Sequence, residues 1–170
     1  MAPSSWSRWW RHLWLEAKDV DRLLGQGCLS RVESQVARSE KRHSGEIRVC
    51  VEASLPQDYL WRAASPRERA VDLFAQLRVW DTEANNGVLI YLLLADHAIE
   101  LVADRGLSAK VDPQTWERLV AQMRSDFQRG QFEAGLSAAV VAVDTMLADH
   151  FPVDALTANP NELPNAPVVM

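Results

Sequence analysis

The sequence predicts an α/β/α sandwich, a small mixed sheet covered by helices on both faces. Three observations carry this. Ile47, Val49 and Val51 alternate with Arg48, Cys50 and Glu52, the period of a strand. Residues 88–94 are apolar almost throughout and short, as in a strand covered on both faces, and a second strand-like run at 98–103 follows the turn pair Asp96 and His97. Between and after these runs stand two helix starts of the cap-then-proline kind, Ser65-Pro66 and Asp112-Pro113.

In chain order, Leu29, Val32 and Val36 recur at helical spacing, so an amphipathic helix is expected over 29–42, ending near Ser44-Gly45. The strand at 47–52 reads as edge-like, because one of its faces is the more polar. Ser65, Pro66 and Glu68 form a capping box for a crossover helix that runs to about residue 80, with Ala70, Leu73, Phe74 and Leu77 as its sheet-facing stripe. The runs at 88–94 and 98–103 form an antiparallel hairpin. A helix from Asp112-Pro113 turns Trp116, Leu119, Val120 and Met123 inward and stops at Gly130, and a last helix spans about 132–150. Beyond Phe151, Pro152, Pro160, Pro164 and Pro167 lie among asparagines without a core-forming pattern, so 152–170 is expected to be a disordered tail. The chain thus divides into a Trp-rich helical segment at 1–27, an α/β domain at 28–151, and that tail.

Composition narrows the function. With 170 residues, 48% hydrophobic and 24% charged, the chain matches one folded domain. A formal net charge of -5 disfavours a nucleic-acid binder, which needs a concentrated basic face. Cys28 and Cys50 have neither metal nor redox spacing and read as small buried hydrophobes. Residues 1–15 lack the small-residue cleavage site of a secretory signal and its uninterrupted apolar stretch, which Arg8, Arg11 and His12 break, and the apolar run at 87–95 is about half the length of a membrane span. A cytoplasmic protein without a spanning segment is expected.

Several strings occur together in order: His43-Ser44-Gly45-Glu46-Ile47-Arg48-Val49, Asn85-Asn86-Gly87-Val88-Leu89-Ile90, Asp104-Arg105-Gly106-Leu107, and Phe127-Gln128-Arg129-Gly130-Gln131-Phe132-Glu133-Ala134-Gly135. They resemble the TPM-domain family over about 29–151, a family that includes a thylakoid-lumen phosphatase-like protein, a photosystem repair factor and an auxiliary receptor subunit. Many relatives carry a secretion signal and a C-terminal membrane helix; this chain looks like the free-standing cytoplasmic branch. Where the family often has aspartate this chain has Asn85, and where it often has glutamate it has Ser108, which lowers the local negative charge.

Topology suggests the site. A crossover makes the strands after Glu46 and Gly87 parallel and the hairpin returns the third, so Glu46, Asn85, Asn86 and Asp104 should gather at one end of the sheet. Converging oxygens suit a hard cation such as calcium, and the resemblance adds weight to that ion. Asp81 and Glu83 precede the cluster, but this is no EF-hand: the glycine falls one place late, and Leu92 stands where a bidentate glutamate is needed. Each residue also has a plainer reading, Glu46 as a solvated charge, Asn85 and Asn86 as turn formers, Asp104 as a cap. The expected function is a non-catalytic binding module that holds calcium and engages a membrane-associated partner. The alternative implied by the resemblance is a slow acid phosphatase on phosphomonoesters, with Asp104 as acid and Arg105 orienting the phosphate. His12, His43, His97 and His150 lie on separate elements and none is nominated.

On a helical wheel Trp6, Trp9, Trp10, Leu13 and Trp14 share a face opposite Arg8, Arg11 and His12. Such a helix either lies at a membrane periphery or docks a partner, or it folds back as a cover over its own domain. Trp61, Trp80 and Trp116 read as core or rim packing.

Overall fold

The structure, a computed structural model, describes residues 5–153 and 160–170. Four strands, β1 (Ile47–Glu52), β2 (Val88–Leu93), β3 (Ala98–Ala103) and β4 (Val168–Val169), form one sheet in the order β3-β2-β1-β4. β1 lies parallel to β2, with Ile47 opposite Val88, and parallel to β4; β2 and β3 are the antiparallel hairpin. The helices are α1 (Ser5–Trp14), α2 (Val20–Leu24), α3 (Cys28–Ser39), α4 (Gln57–Trp61), α5 (Pro66–Gln76), α6 (Arg105–Ser108), α7 (Pro113–Gln128) and α8 (Phe132–His150).

Side-chain alternation along the strands sorts the core into two layers. Ile47, Val49, Val51, Ile90 and Leu92 meet α2, α3, α7 and α8, whereas Cys50, Leu89, Tyr91 and Leu93 meet α4 and α5. This is the α/β/α sandwich that the alternation predicts. The capping box at Ser65 forms as expected, with its hydroxyl accepting the Glu68 amide and Pro66 in the first turn. Asp112 makes no such side-chain bond; proline alone marks the start of α7.

Two differences from the sequence reading share one cause. β1 is an interior strand, and residues 160–170 are structured. Leu163 enters the α4–α5 layer, and Val168 and Val169 pair with Cys50 and Val51. The polar residues of β1 therefore meet protein rather than solvent: Arg48 donates to the carbonyls of Pro164 and Ala166, and Glu52 is buried. Periodicity misses β4 because two paired residues carry no pattern. The remainder of the expected tail, 154–159, lies outside the described residues. Helix α3 also ends earlier than its pattern, at Ser39, so Glu40 turns inward. Among the described residues no helix is long and apolar enough to cross a membrane.

Candidate functional site

The residues expected to gather do share one end of the sheet, the end at which β1 and β2 begin. Val88 donates its amide to the Glu46 carbonyl at 2.8 Å, and Asp104 donates to the Gly87 carbonyl at 2.9 Å. Glu46, Gly87 and Asp104 therefore stand abreast on neighbouring strands. The loop before β2 is closed by Asn85, whose φ of 52 is one that asparagine tolerates, and by the Asn86 amide on Thr82 Oγ1 at 3.1 Å. The loop after β3 lies directly against it: Gly106 donates to the Asn85 carbonyl at 2.9 Å, and a Cβ at Gly106 would stand 2.4 Å from that oxygen. Gly87 is tighter still, with a Cβ position 2.0 Å from the Val79 carbonyl oxygen. Glycine at both places lets backbone approach backbone.

The side chains divide into engaged and orphaned oxygens. Glu46 is fully buried, and its carboxylate accepts the amides of Glu162 and Leu163, each at 3.2 Å. Burial pushes its pKa up while those two amides hold it down. Asn85 Oδ1 accepts both Nε and Nη2 of Arg105 at 3.3 Å. By contrast Asn86, fully buried, donates Nδ2 to Ser44 Oγ at 3.3 Å while its Oδ1 is buried without a hydrogen-bond partner. Asp104 caps α6 by accepting the Arg105 amide at 2.7 Å through Oδ1, and its Oδ2 is likewise buried and unpartnered. A buried acceptor left unsatisfied costs about 1–3 kcal/mol, so each is a place where a ligand is favoured.

The expected ligands thus come together in the backbone but not all in chemistry. Asn86 and Asp104 offer oxygens; Glu46 and Asn85 have spent theirs. Asp81 and Glu83 are exposed, and the Glu83 amide is taken by Glu162. Among the described residues no group of three or more His, Cys, Asp or Glu is arranged to hold a metal ion. The oxygens of this cluster left without a partner are thus one side-chain amide oxygen and one carboxylate oxygen.

Other polar clusters escaped the sequence reading. Glu52, Arg69 and Tyr91 form a buried network between β1, α5 and β2. His12 joins α1 to Asp96. A cleft of about 580 Å³ opens between β3 and α7, lined by Leu101, Val111, Trp116 and Val120, but its guanidiniums are committed, Arg67 to the Leu101 carbonyl and Arg124 to Glu100. Cys28 and Cys50 are free and buried, and burial raises their thiols to about 11 and about 12.

A TPM-domain family model matches residues 18–146, from the turn before α2 to within α8. The chain belongs to the TPM-domain family. The NMR structure of BA42, from the psychrophilic bacterium Bizionia argentinensis, is similar to this TPM domain at 28% identity and a TM-score of 0.73, covering 85% of this chain and 94% of that one. The solution NMR structure of the N-terminal domain of a P. gingivalis protein is similar in fold, with 21% identity, a TM-score of 0.61, and coverage of 78% and 83%. No curated protein matches the chain. The family match excludes α1 and β4.

Proposed function

We propose that this TPM domain is a non-catalytic binding module that takes a divalent cation, calcium, at the loop cluster of Asn86 and Asp104, and engages a membrane-associated partner. The observation that carries the cation half is the pair of buried, unpartnered oxygens, Asn86 Oδ1 and Asp104 Oδ2, on adjoining strand ends. Their neighbours set the strength. One carboxylate is a low charge count for calcium, and the Arg105 guanidinium on Asn85 adds positive charge nearby, so binding falls in the millimolar range, about that of the weakest calcium modules. The phosphatase alternative draws no support from this geometry, since Asp104 caps α6 and Arg105 is turned onto Asn85.

A calcium titration followed by backbone amide resonances tests the reading, with Asp104→Asn as control because asparagine keeps the helix cap while losing the charge. The expected result is saturable movement of the Asn86, Gly87 and Asp104 amides in the wild type that is lost in the variant. Unmoved resonances, or equal binding by both proteins, overturn it.

A further inference from the structure

Helix α1 docks on the domain by its polar face. Arg8 donates to Asp96 and, at 2.9 Å, to the Ala64 carbonyl. His12, whose side chain is fully buried, accepts the Leu55 amide on Nδ1 at 3.0 Å, so Nε2 carries the proton that faces Asp96 at 3.1 Å. Apart from Trp9, which packs against the α4–α5 layer, this orientation reverses the usual one, in which an amphipathic helix lays its apolar stripe on the core. Trp10, Leu13 and Trp14 are consequently 54%, 61% and 74% exposed. The side chain of Trp6 lies outside the described residues. Trp9, half-buried, packs edge-on against Trp61 with ring centroids 5.1 Å apart, and Trp61 on α4 is itself 77% exposed. The outward face of α1 therefore continues onto α4 as one indole-rich stripe. Trp10 and Trp14, expected to find a home against the domain if the helix folded back, do not find one.

Such a face needs a cover, and its chemistry selects among covers. An indole pairs a large apolar ring with one N–H donor and settles where hydrocarbon meets water, at the headgroup level of a bilayer. Helix α1 contains no acidic residue, while the chain as a whole carries a net charge of -5. Arg11, with its side chain 46% exposed, borders the stripe at 3.7 Å from Asp96, and Arg62, 49% exposed and following Trp61, is paired with Glu68 at 3.3 Å and Asp72 at 3.7 Å. Exposed acids nearby are Glu16, paired with Lys18, Asp58, and Glu68, paired with Arg62. One Asp96 carboxylate serves both Arg8 and Arg11, so the helix, which carries no acid of its own, keeps one net positive charge toward anionic headgroups.

From this placement we infer that the outward face of α1, continued by Trp61, is an interfacial anchor that seats the domain on an anionic lipid bilayer. The inference deepens the partner half of the reading above, naming the partner as the lipid surface itself, and is independent of the cation half. Helix α1 stays latched through Asp96 while its indoles enter the headgroups, so seating requires no unfolding of the domain.

The experiment is co-sedimentation of the full chain with vesicles of phosphatidylcholine and phosphatidylglycerol, in EDTA so that calcium plays no part, alongside tryptophan fluorescence. The comparison protein carries Trp10→Ser and Trp14→Ser, exposed positions whose loss should leave the melting temperature unchanged. The wild type is expected to sediment with anionic vesicles and shift its emission to the blue, less so with phosphatidylcholine alone or in high salt. The variant should bind at least about tenfold more weakly. No sedimentation at millimolar lipid, or equal binding by both proteins, overturns the inference. So does self-association of the wild type that the two substitutions abolish without any vesicle binding, which would make the cover a second copy. Failure here leaves the calcium titration untouched.

Discussion

His12 and Asp96, 84 residues apart, are joined at 3.1 Å, and this bond fixes which face of α1 meets the domain. Burial alone would raise Asp96, but the hydrogen bonds from His12 and Arg8 hold its pKa at about 2. Removing the carboxylate with Asp96→Ala leaves two buried or half-buried donors unpaired, an expected loss of about 1–3 kcal/mol in urea denaturation. The sign of the pH effect follows from the lowered pKa: the contribution is complete above the ordinary 3.8 and is lost as pH falls toward 2. Wild-type stability should therefore drop more steeply than that of Asp96→Asn over that acid window. Parallel acid limbs would show that Asp96 does not hold the helix.

Glu40 gives the opposite pH dependence. Burial first, then the neighbouring Glu46 carboxylate, push it from 4.5 to about 7. The unfolded chain releases this proton near 4.5 and the folded chain keeps it until about 7, so the contribution is complete below 4.5 and disappears as pH rises through 7. Glu40→Gln retains an acceptor for the Ile47 amide, which Glu40 Oε1 meets at 3.4 Å, and has no proton to lose. The variant should be the more stable protein at pH 8 and nearly matched at pH 4.5, read as the difference in melting temperature at each pH. A constant difference across that range would assign the neutral form of Glu40 no role.

The segment 160–170 is part of the fold, so deleting it should be costly. Its loss strips two amides from the buried Glu46 carboxylate, both carbonyls from Arg48, and the β4 partner from β1. A chain ending at residue 159 is expected to lose about 3 kcal/mol or more, because an unpaired buried charge is among the most costly defects. It should also self-associate through the newly exposed edge of β1. An unchanged melting temperature and a monomeric elution profile would return the segment to the status of a tail.

The sequence was most legible where a residue's neighbours in the chain decide its structure. Ser65, Pro66 and Glu68 cap their own helix, and the apolar run of β2 needs no partner to announce its burial. The row of Glu46, Gly87 and Asp104 was legible too, since chain direction alone brings those strand ends abreast. Which of its oxygens are available was not, because it depends on distant groups: Glu162 and Leu163 take Glu46, and Arg105 takes Asn85. The amphipathic pattern of α1 identified the two faces of the helix but not the inward one, since a polar face wins when it finds buried partners such as Asp96 and the Leu55 amide. Glu52 was misread for the same reason. Its alternation with Val51 suggests a solvated face, whereas α5 supplies the arginine that buries it.

That arginine makes the last expectation a test of coupling. Arg69 Nη2 reaches Glu52 Oε1 at 2.7 Å, its Nε lies 3.1 Å from Oε2, and the Tyr91 hydroxyl donates to Oε2 at 2.6 Å. Burial and the adjacent carboxylate push the Tyr91 phenol well above its ordinary range, so it stays a donor at every pH of interest. In a Tyr91→Phe background, Arg69→Met or Glu52→Leu alone should cost about 3–5 kcal/mol, because each strands a charge in the layer between the sheet and α5. Both together strand none and replace the pair with apolar bulk, so the double change should cost less than either single one. A double-mutant cycle in urea measures the coupling directly. Costs that simply add would mean that the two charges are stabilised separately and that the ion pair does not organise this face of the sheet.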